Sequence, residues 1–200
     1  MTDRLVIGIA GALRSGKDTI GYRLSHGWGF YRLAFADALR GEIMARMSRT
    51  VRALHDLQPG HADCRAADVC AQYMLFVTKP QGFRELLQEY GSDVRRRDDP
   101  SYWTRQWKER VAGIEGPVVV TDVRFENEAE AVRSIGGKLW RITRPGHGGN
   151  GHLSEHGLDG WQHWDAEIEN GGSIDDLWAR VDGLVEGQHM RKVTSEVTQG

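Results

Sequence analysis

The sequence predicts an α/β fold of three layers, a mostly parallel five-stranded sheet flanked by helices. Three observations predict it. Leu5–Ile9 (LVIGI) is a short, nearly continuous apolar run, as a strand buried on both faces requires. Pro117–Asp122 (PVVVTD) is a second such run, β-branched and opened by Gly116-Pro117. Strand patterns alternate with helical ones along the chain, and a strand that returns through a crossover helix becomes a parallel neighbour.

Taken in order, Leu5–Ile9 is the first strand, and a Gly-rich turn leads into a helix over Lys17–His26. Phe30–Phe35 (FYRLAF) reads as the second strand, and Asp37–Asp56, rich in Arg, Ala, Leu and Met, as a long helix. Gln58–Asp63 is turn chemistry. From Arg65 to about Gly113 the pattern is helical, broken by Pro80 and by Asp98-Asp99-Pro100, and is expected to lie over one edge of the sheet. Pro117–Asp122 is the third strand, Glu126–Ile135 a helix ended by Gly136-Gly137, and Lys138–Thr143 (KLWRIT) the fourth strand. Pro145–Gly160 holds six glycines and three histidines and reads as a mobile loop. Asp165–Ile168 is a short last strand. Ser173–Val185 is a helix capped by Ser173, with Asp175 and Asp176 in its first turn. Residues 188–200 are expected to be a polar, frayed tail.

The 200 residues are 40% hydrophobic and 27% charged, with 25 Gly and 5 Pro, which excludes collagen-like and disordered chains. Twenty-six Lys and Arg against 28 Asp and Glu give a net charge of −2. That argues against a whole-surface grip on nucleic acid and leaves a local basic cleft open. Two cysteines, Cys64 and Cys70, make no disulfide framework and suit a reducing, intracellular compartment. The opening apolar run is too short to span a membrane and lacks a signal-peptide pattern, so a soluble protein is expected.

Gly11-Ala12-Leu13-Arg14-Ser15-Gly16-Lys17 fits G-x-x-x-x-G-K between the first strand and a helix. Glycines let the backbone curl so that its N–H groups converge on phosphate oxygens, and the helix dipole adds partial positive charge. Lys17 would reach the β- and γ-phosphates of a bound nucleotide. The residue after Lys17 is Asp18, and the hydroxyl comes one later at Thr19. A Mg²⁺ contact could therefore come from Thr19, from Ser15, or through water held by Asp18. Asp122 ends the third strand, where ligands of open parallel sheets bind, and could hold Mg²⁺ through water. Arg124 could meet a phosphate in the same cleft. A helix N-cap for Asp122 and a surface ion pair for Arg124 are the alternatives.

Several motifs occur in order: GALRSGKDT (11–19), LAFADALR (33–40), RELLQEYGSD (84–93), SYW (101–103), TDVRFENE (121–128), Arg144-Pro145-Gly146, HLSEHG (152–157) and IENGGSIDDL (168–177). Together they resemble the bacteriophage and bacterial deoxynucleoside monophosphate kinases, over roughly residues 4 to 185. The resemblance implies a P-loop NTPase fold in one domain, 1–187, with a helical acceptor-binding region at about 40–115 and a lid at about 144–164. It implies transfer of phosphate from ATP, with Mg²⁺, to a deoxynucleoside 5′-monophosphate. The nucleotide-binding positions it implies are Gly11, Ala12, Arg14, Ser15, Gly16, Lys17, Asp18, Thr19 and Arg144. Arg40 and Arg84 fall at acceptor-phosphate positions, while Gln88, Gly91 and Trp103 fall in the deoxynucleotide pocket. Asp122 and Arg124 fall between donor and acceptor, so Lys17, Arg84, Asp122 and Arg124 would carry the transfer, with Thr19 and Asp122 nearest the metal. Arg65 is a further candidate contact in a stretch, about 48–80, that fits the family pattern poorly. The localisation implied is cytoplasmic (the host's cytoplasm for a phage protein), and a homodimer stays open.

Two dianionic groups must be forced together, which calls for converging cations, and Arg grips phosphate with a planar fork. Water must be kept out or ATP would be hydrolysed, which a Gly-rich lid would serve; a passive surface loop is the alternative. The rivals are a P-loop kinase acting on a 5-hydroxymethylated pyrimidine (free or in DNA) or on dephospho-coenzyme A, and a nucleotide-binding regulator without catalysis. His147, His152, His156 and His163 lack a metal-binding pattern such as HExxH. Arg95-Arg96-Arg97 reads as a solvated helix end.

Overall fold

The computed structural model describes residues 4–57, 99–146 and 157–197. Five strands form one parallel sheet: β1 (Val6–Ala10), β2 (Tyr31–Arg32), β3 (Val118–Val120), β4 (Lys138–Thr143) and β5 (Ala166–Glu169), in spatial order β2-β3-β1-β4-β5. The helices are α1 (Lys17–Gly27), α2 (Ala36–Leu57), α3 (Tyr102–Ala112), α4 (Glu126–Arg133) and α5 (Ile174–Val197). Central β1 is buried at every residue because it is covered on both faces. Ile7 and Ile9 join Ile20 and Leu24 of α1, Trp140 and Ile142 of β4, and Leu177, Val181 and Val185 of α5 in one core. Val6 and Ala10 fall outside that cluster, while α4, with buried Ala129, Ala131 and Val132, packs on β1 and β4. The result is helices, sheet, helix. Each fully buried Ile or Leu contributes about 1.5–3 kcal/mol.

The chain divides into two compact units, residues 1–34 with 110–200, and residues 35–109. The first holds the whole sheet. In it, Arg23 of α1 grips Asp182 of α5 through Nε (2.9 Å) and Nη2 (2.5 Å), and Trp28 Nε1 donates to the same carboxylate at 2.8 Å. In the second unit, Leu39 and Ile43 of α2 enclose Trp103 of α3, and Phe35 lies 4.7 Å from Trp107 between ring centres.

Three elements differ from the sequence expectation. The strand expected over Phe30–Phe35 is only Tyr31–Arg32, because Leu33 makes the last ladder bond, to Val119 O (3.0 Å), and the chain then turns into α2. Phe30 and Phe35 are buried without pairing in the sheet. The third strand stops at Val120, so Thr121 and Asp122 lie just past its end. The tail expected to fray beyond Gly187 continues α5 to Val197, since Gln188, Met190, Arg191 and Lys192 are good helix formers and Gly187 costs only about 1 kcal/mol. The expected cap of α5 forms: Ser173 Oγ accepts from Asp176 N (3.2 Å) while Asp176 Oδ2 accepts from Ser173 N (2.9 Å). No helix among the described residues is long and apolar enough to cross a membrane.

Candidate active site

The carboxyl end of the sheet carries the site. β1 ends at Ala10, and the loop Gly11–Gly16 leads directly into α1. Ser15 N donates to Ala12 O at 3.2 Å, which closes the loop on itself. Arg14 sits at φ 61°, the left-handed conformation that a non-glycine residue rarely takes. Gly16 has φ 114°, and a Cβ there would stand 2.6 Å from Asn170 Nδ2, so only glycine fits. Lys17 Nζ donates to Gly11 O (2.7 Å) and Ala12 O (2.6 Å), which keeps the ammonium over the loop's own opening turn. A ring of backbone groups at a helix N-terminus with a lysine folded over it is built to take phosphate oxygens. Ser15 is fully buried and its Oγ meets no partner among the described residues, whereas half-buried Thr19 is the more open hydroxyl.

Asp122 is half-buried. Val123 N donates to Ile9 O at 3.3 Å, so the chain at Asp122 passes beside the end of β1, where the loop begins. The turn that follows is fixed from α4. Glu128 is 2% exposed, and its Oε2 accepts from Arg124 N (2.8 Å) and Phe125 N (3.2 Å). The N-cap of α4 is Phe125 rather than Asp122, and Glu128, in the first turn, reaches back to the Phe125 N–H. The Arg124 side chain is exposed. The Gly-rich stretch returns here, because a Cβ on Gly157 would lie 2.5 Å from Arg124 O. Its other end, Arg144, reaches the loop, with Nη1 donating to Arg14 O at 3.5 Å.

Two residues with no role in the sequence reading belong to this edge. Arg32, at the carboxyl end of β2, pairs with Asp18 of α1 and donates through Nε (3.3 Å) and Nη2 (3.0 Å) to Thr121 Oγ1. Its signal was a charge inside an otherwise apolar strand. Asn170 follows β5, and its Nδ2 donates to Ser15 O at 2.8 Å. It lies within the motif IENGGSIDDL, which carried no assignment.

The structure therefore brings together Gly11, Ala12, Arg14, Ser15, Gly16, Lys17, Asp18, Thr19 and Arg144 in the first unit, with the chain at Asp122 beside the end of β1 and Arg124 two residues further on, its side chain exposed. Arg40 and Trp103 belong to the second. Arg40 Nη1 donates to Asp37 Oδ1 at 2.7 Å, and Trp103, 4% exposed, packs into that unit's core. Arg65, Arg84, Gln88 and Gly91 lie outside the described residues, as do lid residues 147–156.

Comparison with known proteins follows the same lines. A family model for deoxynucleotide monophosphate kinase matches residues 48–181. A protein of Acanthamoeba polyphaga mimivirus named for that activity is 26% identical over 191 residues, covering 91% of this chain and 96% of its own length. The deoxynucleotide monophosphate kinase of Enterobacteria phage T4 is 29% identical over 107 residues, covering 49% of this chain and 43% of its own. Among solved structures, shikimate kinase from Aquifex aeolicus aligns over 92% of this chain and 98% of its own at 13% identity, with a TM-score of 0.47. The matched span starts inside α2, runs through Asp122, Arg124 and Asn170, and takes in more than half of the residues, so the chain belongs to the deoxynucleotide monophosphate kinase family of phosphotransferases.

Proposed function

We propose that the chain transfers the γ-phosphoryl group of ATP to the 5′-phosphate of a deoxynucleoside monophosphate, yielding ADP and the deoxynucleoside diphosphate. The observation that carries the reading is the loop after β1, with Lys17 Nζ 2.7 and 2.6 Å from its opening carbonyls and a helix N-terminus behind it. The family supplies the acceptor. The attacking oxygen belongs to a phosphate already ionised at neutral pH, so no general base is needed. What the protein must supply is alignment and positive charge. Lys17 and the loop N–H groups take the donor phosphates. Arg124 faces the transferred group, while Arg40, Arg84 and, less centrally, Arg65 take the acceptor phosphate. Gln88, Gly91 and Trp103 are assigned to the deoxynucleoside pocket on the family pattern.

Thr19 and Asp122 offer a hydroxyl and a carboxylate, hard oxygen donors of the kind Mg²⁺ takes alongside phosphates and water. Bound there, Mg²⁺ would supply charge neutralisation on the donor phosphates. Asp18 is a weaker candidate because its carboxylate is taken by Arg32. Residues 144–164 serve as the lid that excludes water, with Arg144 at the hinge. They belong to the single kinase domain, 1–187, whose 40–115 region handles the acceptor. The reaction belongs to the cytoplasm, where ATP and deoxynucleotides are found.

The test is an ATP-consumption assay with purified protein against dTMP, dGMP, dCMP, dAMP, hydroxymethylated deoxynucleotides, dephospho-coenzyme A and duplex DNA carrying hydroxymethylated bases. ADP release with at least one free deoxynucleoside monophosphate supports the reading. Turnover confined to dephospho-coenzyme A or DNA overturns it.

A further inference from the structure

We propose that Asn170 is a positioning residue for the donor phosphates, acting through the Ser15–Gly16 peptide. The inference rests on the reading of residues 11–17 as the donor-phosphate loop. Three contacts carry it. The Asn170 Nδ2 group donates to Ser15 O at 2.8 Å across 155 residues of sequence. Its own backbone N–H donates to Thr143 O at 2.8 Å, which extends the β4–β5 ladder one step and holds the side chain at a fixed place on the sheet. Gly16 lies so near the carboxamide that a Cβ would stand 2.6 Å from Nδ2.

In a trans peptide the carbonyl and the following N–H point to opposite sides. Holding Ser15 O toward Asn170 therefore aims Gly16 N–H away from it. That N–H is among those the loop offers to an anion, and it meets no partner among the described residues. Without the carboxamide, the Ser15–Gly16 peptide is free to rotate, because Gly16 imposes almost no barrier of its own. A rotated peptide would present a carbonyl oxygen to the phosphate where a donor is required. The task needs an NH₂ facing a carbonyl. The substitution Asn170→Asp would place oxygen against oxygen at the same distance, and Asn170→Ala would leave nothing there.

The test uses full-length Asn170→Asp and Asn170→Ala, with Lys17→Ala as control. Binding of a non-hydrolysable ATP analogue is measured by calorimetry, KM for ATP and for the deoxynucleotide by kinetics, and melting temperature without ligand. Asn170→Ala is expected to weaken analogue binding about tenfold, as the loss of one well-placed hydrogen bond does, and Asn170→Asp by more. KM for ATP should rise in step, while KM for the deoxynucleotide and the ligand-free melting temperature stay near the parent's. Unchanged ATP affinity in both variants overturns the proposal. So does an equal rise in both KM values with a lower melting temperature, which is what a merely structural residue would give. Undiminished analogue binding by Lys17→Ala would instead overturn the reading of the loop itself.

Discussion

Replacing Glu128 by Ala removes one carboxylate oxygen that accepts two backbone N–H bonds, from Arg124 at 2.8 Å and Phe125 at 3.2 Å. The site is 2% exposed, so water does not readily replace the lost acceptor. A hydrogen bond to a charged acceptor contributes about 1.5–3 kcal/mol, and the bonds here also close the first turn of α4. Relief from burying a carboxylate works the other way, and a net loss of about 3 kcal/mol follows. For a chain of this size that lowers the melting temperature by about 6–12 °C. Glu128→Gln keeps an oxygen acceptor and should lose about 1 kcal/mol. Thermal melting followed by circular dichroism measures both. The backbone of Arg124 is one of the two groups released, so kcat at a temperature where the variant is folded should fall about tenfold or more, with ATP affinity held. A Glu128→Ala protein that melts within a degree of the parent would refute the reasoning, since two stranded N–H groups cannot be that cheap.

Further expectations concern the loop, its neighbour and pH. Lys17→Ala should weaken binding of a non-hydrolysable ATP analogue about a hundredfold by calorimetry, the loss of a cation that meets phosphate directly. Arg32→Ala should lower the melting temperature by only a few degrees, because the ion pair with Asp18 is solvent-exposed and worth about 1 kcal/mol or less, and the bonds to buried Thr121 Oγ1 add about 1 kcal/mol. It should nevertheless raise KM for ATP several-fold by leaving the Asp18 charge uncompensated beside the loop, and Arg32→Ala/Asp18→Ala should restore it; equal KM in single and double variants sinks the idea. The Arg23 guanidinium, through its hydrogen bonds, holds the Asp182 carboxyl below its usual range. A carboxylate depressed in the folded state stabilises above the unfolded value, about pH 4, and that gain is lost as pH falls through the folded value. Asp182→Asn should therefore melt lower than the parent at pH 7, and the gap should close on acidification below pH 4; a gap constant with pH contradicts it.

Much of this was legible in the sequence because the strongest signals are local. A buried strand, a G-x-x-x-x-G-K turn and a helix start are contiguous in residues 5–27, and the structure reproduces them almost residue for residue. Lys138–Thr143 matched its expected bounds, a short apolar segment set off by Gly136-Gly137 before it and Pro145 after it. The stretch Phe30–Phe35 was harder to read. Apolar character reports burial, and burial on the first unit's edge and at the start of α2 looks the same as pairing in a strand. Arg32 and Asn170 were hidden for a different reason. Each acts on a residue far along the chain, Asp18 and Thr121 for one and Ser15 for the other, and no spacing rule announces such a contact. Glu128 ends the motif TDVRFENE with no role of its own assigned there, and its burial and hydrogen bonds mark it as the clamp on Arg124.

The position of β1 has a consequence for how the molecule breathes. It is hydrogen-bonded along both edges, to β3 and β4, while β2 holds the margin with two paired residues. Opening events that reach solvent begin where few bonds must break. Amide exchange should therefore start at Tyr31–Leu33 and reach Ile7–Ile9 only in the rare excursions that unfold the whole sheet. The strand that leads into the Gly11–Gly16 loop stays set while β2, at the margin beyond β3, loosens and re-forms.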